Sequence, residues 1–162
     1  MKMKHYTLAF SLLCAAVLAG CNSDKKLNSP PQIGANSFVT ETDVAIMDRV
    51  AAQDADDDML VFVLGSQPSN GSVTLAADGV FTYTPAAEFT GSDSFTVKVS
   101  DGERIAQGLV NISVEVATVS FLSYSRAAFL QPEDTKALPI NGRIFTQDAQ
   151  NEADYADLLT DQ

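Results

Sequence analysis

The sequence predicts an all-β domain, a two-layer sandwich of seven antiparallel strands, over residues 32–117. From Ile33 to Val116, apolar residues recur at every second position, which is the period of a strand that buries one face. Turn residues, such as those of "SQPSNG" at 66–71, separate the apolar runs, and no window in this range sustains helical spacing. The short, evenly spaced strands favour a sandwich, with a barrel as the lesser alternative.

The clearest local signal is a hairpin, in which two alternating segments flank a turn that contains Asp78-Gly79. Two longer alternating segments follow it. Seven strands of this spacing are typical of an immunoglobulin-like β-sandwich of about 100 residues. The predicted strands are Ser37–Thr40, Val44–Val50, Met59–Leu64, Ser72–Leu75, Val80–Thr84, Ser94–Ser100 and Gly108–Val116.

The first 20 residues have the pattern of a secretion signal. Lys2 and Lys4 precede an apolar run that is too short to span a membrane as a helix. The run ends in Leu-Ala-Gly-Cys at 18–21, which resembles the lipobox of bacterial lipoproteins. That resemblance implies cleavage before Cys21 and lipid attachment to its sulfur. The alternative is an ordinary signal peptide that leaves Cys21 free.

Lipidation would place the chain in the bacterial envelope, held by its acyl chains to a membrane. Asn22 follows the cysteine, whereas an aspartate there is associated with retention in the inner membrane, so the outer membrane is favoured, with the protein facing the periplasm or the cell surface. Cys14 would leave with the signal, so the mature chain would have no thiol for a disulfide.

The chain is strongly acidic. Its formal charge is 10 − 21 = −11, and removal of residues 1–20 would make it 8 − 21 = −13, since that segment carries two lysines and no acid. Such a surface repels phosphate backbones, which excludes nucleic acid as a partner, and it attracts hard cations.

The ends of the chain differ from the predicted sandwich. Residues 21–31 are polar and close with Pro30-Pro31, so they form a tether between anchor and domain. Residues 118–162 are poor in large apolar side chains and are interpreted as an extension or an incomplete second module. Within them, "VSFLSYS" predicts a strand, "PINGR" a turn, and Glu152–Leu159 a weak helix.

An acidic cluster precedes the third predicted strand. Asp54, Asp56, Asp57 and Asp58 occupy four of five consecutive positions. The cluster is either a solvated turn or one side of a cation site. If the strands alternate in direction, this loop, Asp101 and the tether with Asn28 all lie at the same end of the sandwich.

Residues 33–116 resemble the cadherin-like repeats of bacterial surface proteins. The matching segments are "NSPP", "TETD", "DADDDML", "PSNGSVTL", "DGVFTYTP" and "FTGSDSFTVKVSDG", in that order. The resemblance implies a seven-stranded antiparallel Greek-key sandwich that belongs to a tandem array.

The resemblance also implies calcium as a cofactor. Its ligands would be Asn28, Asp54, Asp56 and Asp101, with Asp57 or Asp58 facing water. A lipid tether takes the place of a preceding repeat, so the site would be partial. A weaker second cluster would pair Glu41 with Asp93, near Glu88, although the acidic linker that such a site requires is missing after Val116. The favoured alternative for Asp93 is that it bonds backbone amides in its own loop.

Catalysis is not expected. The only histidine is His5, which would be removed with the signal, so triads and histidine-ligated zinc are excluded. The leading hypothesis is a non-catalytic, calcium-binding surface module that serves adhesion or acts as a spacer, with other surface proteins or polysaccharide as partners. One alternative is a carbohydrate-binding accessory of an exported enzyme, which requires exposed aromatic residues among Phe81, Tyr83 and Tyr124. The other is a truncated fragment of a longer tandem array.

Overall fold

The structure is a computed structural model that describes residues 27–158. The signal segment 1–20, Cys21 and most of the tether lie outside the described residues. The elements are, in chain order, β1 (Gln32–Ile33), β2 (Asn36–Glu41), β3 (Ile46–Arg49), β4 (Ala52–Gln53), β5 (Val61–Ser66), β6 (Gly71–Leu75), β7 (Val80–Pro85), β8 (Gly91–Ser100), β9 (Ile105–Glu115), β10 (Ala117–Ser120), α1 (Phe121–Phe129), β11 (Arg143–Thr146) and a 3₁₀ helix (Glu152–Leu158).

Two sheets form the sandwich. One has the strand order β2-β9-β8-β5 and the other has the order β3-β7-β6, while β1 and β4 form a short antiparallel pair beside them. The predicted hairpin is present as β6 and β7, and the two long alternating segments pair as β8 and β9. Because the chain passes from one sheet to the other between β2 and β3, and again between β5 and β6, the connections are of the Greek-key type.

One pairing differs from the antiparallel prediction. β2 runs parallel to β9, with Asn36 opposite Val110 and Glu41 opposite Glu115. The reason is topological: after β2 the chain crosses to the other sheet, and the neighbour of β2 in its own sheet is β9, the last strand of the sandwich, which runs in the same direction. Alternation within one strand carries no information about this choice.

The core lies between the two sheets. Phe81, Tyr83 and Phe95 are fully buried, and the Phe81 ring makes edge contacts with Phe95 at 5.3 Å and with Phe38 at 5.0 Å between centroids. Complete burial of a large apolar side chain contributes about 1.5–3 kcal/mol. These aromatic residues therefore account for much of the packing between the layers.

The C-terminal segment adds a small α/β unit. β10 pairs in parallel with β11, and α1 lies between them in the chain. The predicted strand "VSFLSYS" was wrong beyond Ser120, because the Ser120 hydroxyl accepts a hydrogen bond from the Ser123 amide and starts a helix. Tyr124 of this helix packs against Phe145 of β11, with ring centroids 4.8 Å apart.

The strand directions define two ends of the sandwich. The upper pole comprises the tether residues 27–31 and the loops 54–60, 76–79 and 101–104. The lower pole comprises the loops 42–45, 67–70 and 86–90, and the C-terminal unit begins beside it. Asn36 secures the chain as it leaves the tether, because its buried side chain accepts from Ala51 N at 2.7 Å and donates to Gly34 O at 2.9 Å.

Candidate metal site at the upper pole

Three carboxylates converge in the upper-pole loop. One oxygen each from Asp54, Asp56 and Asp58 lies within 4.8 Å of the others. The loop is shaped by an Asx turn, in which Asp54 Oδ1 accepts from the Asp56 amide at 2.7 Å, and by Asp57, whose φ is +60°. Two oxygens that ligate one calcium ion lie at most about 5 Å apart, because each calcium–oxygen distance is about 2.3–2.6 Å, so the spacing of these three oxygens is compatible with a shared cation.

The sequence prediction named the first two of these residues and missed Asp58. Asp57 and Asp58 were treated as equivalent, and one of them was expected to face water. The positive φ of Asp57 turns the chain, so Asp58 joins the cluster, while Asp57 is exposed and lies outside it. The Asp-x-Asp-x-Asp spacing of residues 54–58 was the sequence signal that could have identified Asp58 as the third member.

The tether crosses this loop and is bound to it. Ser29 N donates to Asp56 Oδ2 at 2.6 Å, and Asn28 Nδ2 donates to Asp101 Oδ2 at 3.0 Å. Pro31, two residues later, is buried. The structure therefore brings Asn28, Asp54, Asp56 and Asp101 to one pole, as the strand directions predicted.

Asp101 also closes its own turn. Its Oδ1 accepts from the amides of Glu103 at 2.7 Å and Arg104 at 2.5 Å. The Arg104 amide contributes most to holding the pKa of Asp101 below its usual value, and the Glu103 amide and the Asn28 side chain act in the same direction. Asp101 is thus a turn residue that also receives the tether, and it is not a member of the 4.8 Å group.

One oxygen of the cluster is buried without a hydrogen bond. Asp54 Oδ2 is excluded from solvent and has no hydrogen-bond partner within residues 27–158. A buried, unsatisfied carboxylate oxygen costs free energy, so a cation ligated there would be stabilising. The donor set, carboxylates with a nearby amide, fits a hard cation such as calcium.

The second predicted cluster is not assembled. Asp93 lies in register with Ile112 and hence with Phe38 on the far side of β9, whereas Glu41 lies opposite Glu115 at the end of the sheet. Asp93 is buried, with 7% of its surface exposed, and Glu41 is exposed. The structure therefore separates these two residues by position along the strands and by face.

Asp93 is instead a structural anchor for the loop 67–70. It accepts from Ser69 N at 3.0 Å, from Asn70 N at 2.9 Å, from Ser94 N at 2.9 Å and from the Tyr83 hydroxyl at 3.0 Å. With this many donors, the carboxylate has little capacity left for a metal ion.

Residues 28–116 match the sequence profile of the bacterial cadherin-like domain, which covers more than half of the chain. The chain belongs to the bacterial cadherin-like domain family. No curated protein shows significant sequence similarity to it.

Three solved structures of similar shape each align with slightly more than half of this chain. Human protocadherin-24 EC1-2 aligns at 21% identity and a TM-score of 0.46, covering 58% of this chain and 52% of that one. A Bacteroides fragilis protein described as an α-galactosidase aligns at 10% identity and a TM-score of 0.45, covering 56% of this chain and 18% of that one. An endo-fucoidan hydrolase of glycoside hydrolase family 107 aligns at 25% identity and a TM-score of 0.39, covering 52% and 15%. The chain thus spans about half of the protocadherin fragment and less than a fifth of the two hydrolases.

The carbohydrate-binding alternative depends on the exposure of three aromatic residues. Phe81 and Tyr83 are completely buried in the core. Tyr124, in α1, is half-buried, and its hydroxyl donates to Leu138 O at 2.8 Å. The aromatic patch that the carbohydrate-binding alternative requires is therefore not formed by these three residues.

Across residues 27–158, no helix has both the length and the apolar character needed to cross a bilayer.

Proposed function

We propose that the protein is a non-catalytic, lipid-anchored module of the bacterial envelope that binds calcium at its upper pole and serves as an adhesive or spacer element. The observation that carries this proposal is the attachment of the tether to the acidic loop. Asn28 bonds to Asp101 and Ser29 bonds to Asp56, so the segment nearest the anchor and the carboxylate cluster form one structural unit.

Calcium would complete that unit. The oxygens of Asp54, Asp56 and Asp58 supply negative charge, and Asp54 Oδ2 is buried without a hydrogen bond in the described part of the chain. An ion there would offset the mutual repulsion of the carboxylates and hold the loop in the geometry that binds the tether. The sandwich would then take a fixed direction relative to the membrane.

The anchor is proposed from the sequence. Cys21 within Leu-Ala-Gly-Cys would carry the lipid, and Asn22 favours the outer membrane. Only the tether 21–31 separates that cysteine from the sandwich, so the upper pole would lie close to the membrane surface.

A non-catalytic role is supported by how the acids are used. Glycoside hydrolysis requires a pair of carboxyl groups, and Asp93 and Glu88 are near one another in sequence. Asp93, however, is saturated by hydrogen-bond donors inside the sandwich. The acids Asp54, Asp56 and Asp58 at the upper pole have the ligand chemistry of a cation site.

A calcium titration of thermal unfolding tests the metal. Extracellular calcium modules bind with Kd values of about 0.1–1 mM, so 10 mM calcium would stabilise the folded state by about 1.4 kcal/mol or more. For a domain of this size that corresponds to a rise in Tm of about 5 °C or more.

Variants make the titration specific. Asp54→Asn with Asp58→Asn would abolish the calcium-dependent rise. Asp57→Asn removes one charge from the same loop at a position outside the cluster, and it would retain most of the rise. The proposed site would be contradicted if millimolar calcium did not change the Tm of the wild type. It would also be contradicted if magnesium raised that Tm as much as calcium does and calcium raised the Tm of the double variant equally.

A further inference from the structure

Two turns meet at the lower pole, at the opposite end of the sandwich from the tether. One is the turn Thr42-Asp43 of the sandwich, and the other is the turn Asn141-Gly142 that leads into β11. They are about a hundred residues apart in sequence, and the salt bridge between Asp43 and Arg143 links them directly.

Gly142 fits against a rigid surface. Its φ is +69°, and a Cβ at this position would lie 2.6 Å from Thr42 Oγ1 and 3.2 Å from Glu88 O. Thr42 cannot easily move aside, because it is 2% exposed and its hydroxyl is 3.2 Å from both Phe89 O and Glu115 O. Only glycine satisfies both the backbone angle and the close approach.

Arg143 adds a charged contact. Its Nη2 lies 2.5 Å from Asp43 Oδ2, and its side chain is only 14% exposed. The other oxygen of Asp43 accepts from the Glu88 amide at 2.8 Å, so the carboxylate is held in place by the sandwich itself. The Glu88 amide contributes most to lowering the pKa of Asp43, and Arg143 lowers it further.

The surrounding pole is acidic. Glu41 and Glu115 are register partners at the ends of β2 and β9; Glu41 directly precedes Thr42, and Glu115 lies two residues before Ala117. Like charges on adjacent strands repel, so a cationic group nearby is stabilising. A backbone hydrogen bond from Ala117 N to Gly142 O at 2.9 Å joins the start of β10 to the same turn.

We propose that the lower pole is a metal-free joint, at which the sandwich binds the turn that contains Gly142 and Arg143. The Arg143 guanidinium supplies the positive charge of the joint and fixes the C-terminal unit to the sandwich. The two poles would then be held by different means, calcium at the tether and a side-chain cation at the joint. The joint stands on its own contacts, so it holds whether or not calcium binds at the upper pole.

Hydrogen exchange of the Ala117 amide tests the joint in the full chain, because this amide bonds directly to Gly142 O. Chelation of divalent ions with EDTA would leave its exchange rate unchanged relative to that of the amides in β8, which report any general loss of stability on removal of calcium. Asp43→Asn removes the charge but keeps an oxygen for the Glu88 amide, and asparagine tolerates the positive φ of this position. This variant would speed exchange about fivefold, and so would Arg143→Gln. The two changes combined would have no greater effect than either alone, since they remove the same contact.

Matched controls separate the joint from general effects. Asp78→Asn breaks the exposed ion pair with Arg49 at the upper pole and would leave Ala117 exchange unaltered. Gly142→Ala would speed the exchange strongly, whereas Gly102→Ala, at a similar positive φ but with no atom within 4 Å, would not. If EDTA speeds Ala117 exchange more than exchange in β8, a metal holds the joint. If exchange is unchanged in both Asp43→Asn and Arg143→Gln, the ion pair does not hold it. Either result overturns the proposal.

Discussion

Asn28 and Asp101 are 73 positions apart in sequence, and the amide of the first donates a 3.0 Å hydrogen bond to the carboxylate of the second. The contact joins the last part of the tether to the loop between the two longest strands of the sandwich. This hydrogen bond fixes the tether to the sandwich, so its loss should lower the free energy of unfolding.

Asn28→Ala would release the tether from the upper pole. The hydrogen bond is partly buried and its acceptor is charged, so its removal would lower the free energy of unfolding by about 1–1.5 kcal/mol. Urea denaturation measures this, and proteolysis within residues 27–31 should become faster. Asn111→Ala, on the exposed face of β9, is the control and should change neither.

Asp93→Asn would destabilise the sandwich more severely. An amide cannot accept all the hydrogen bonds that the carboxylate takes from Ser69, Asn70, Ser94 and Tyr83. A buried donor without a partner costs about 1–3 kcal/mol, so the free energy of unfolding should fall by about 3 kcal/mol. A loss below about 0.5 kcal/mol would contradict the anchoring role of this residue.

The stability contributed by Asp93 should depend on pH in a defined direction. Burial by itself raises the pKa of Asp93, but the hydrogen bonds from the amides of Asn70, Ser94 and Ser69 and from the Tyr83 hydroxyl outweigh it, and the pKa lies below its ordinary value. A carboxyl group of lowered pKa stabilises the fold above the unfolded-state pKa of about 3.9 and loses that contribution as pH falls. The difference in unfolding free energy between wild type and Asp93→Asn should therefore be constant near neutral pH and shrink below about pH 4.

Gly71→Ala tests the close approach of β6 to β7. A Cβ at this position would lie 2.5 Å from Thr84 O and 2.8 Å from the Tyr83 ring. Neither neighbour can move cheaply, since one is backbone and the other is a fully buried ring, so the cost should be about 1–3 kcal/mol. Gly34→Ala meets Ala51 at an ordinary 3.5 Å and should be tolerated, as thermal unfolding of both variants would reveal.

Ser120→Ala should weaken α1 selectively. The Ser120 hydroxyl accepts from the Ser123 amide at 2.9 Å, and loss of such a cap costs about 1 kcal/mol. Hydrogen exchange of the first turn of the helix should accelerate, while exchange in β8 stays as in the wild type. Uniform acceleration in both regions would mean that the C-terminal unit and the sandwich unfold together.

Most of the sandwich was predictable because its signals are local. Alternation identified β6 to β9, and Asp78-Gly79 identified the hairpin between β6 and β7. The grouping of Asn28, Asp54, Asp56 and Asp101 at one pole followed from counting strand directions, which needs the order of strands but not their packing. The same reasoning missed Asp58, whose position depends on the backbone angle of Asp57.

Other features had no local signal. The pattern "SFLSYS" is compatible with a strand, and only the capping hydrogen bond and the packing of Tyr124 on Phe145 select a helix. For Asp93 the sequence left two roles open, a member of a second acidic cluster or an acceptor for backbone amides. The structure shows the second role, with donors from the loop 67–70 as well as from the Tyr83 hydroxyl.

By itself, therefore, the sequence determined the strands, their order and the acidic character of both poles, since periodicity and turn residues act over a few positions. The tertiary structure alone decided which acid serves which purpose. The carboxylates of Asp54, Asp56 and Asp58 lie close together. The carboxylate of Asp93 accepts hydrogen bonds inside the sandwich, and that of Asp43 forms a salt bridge with Arg143. The physical reason is that a carboxylate's role depends on the donors and charges that surround it, and those are brought together by segments that lie far apart in the chain.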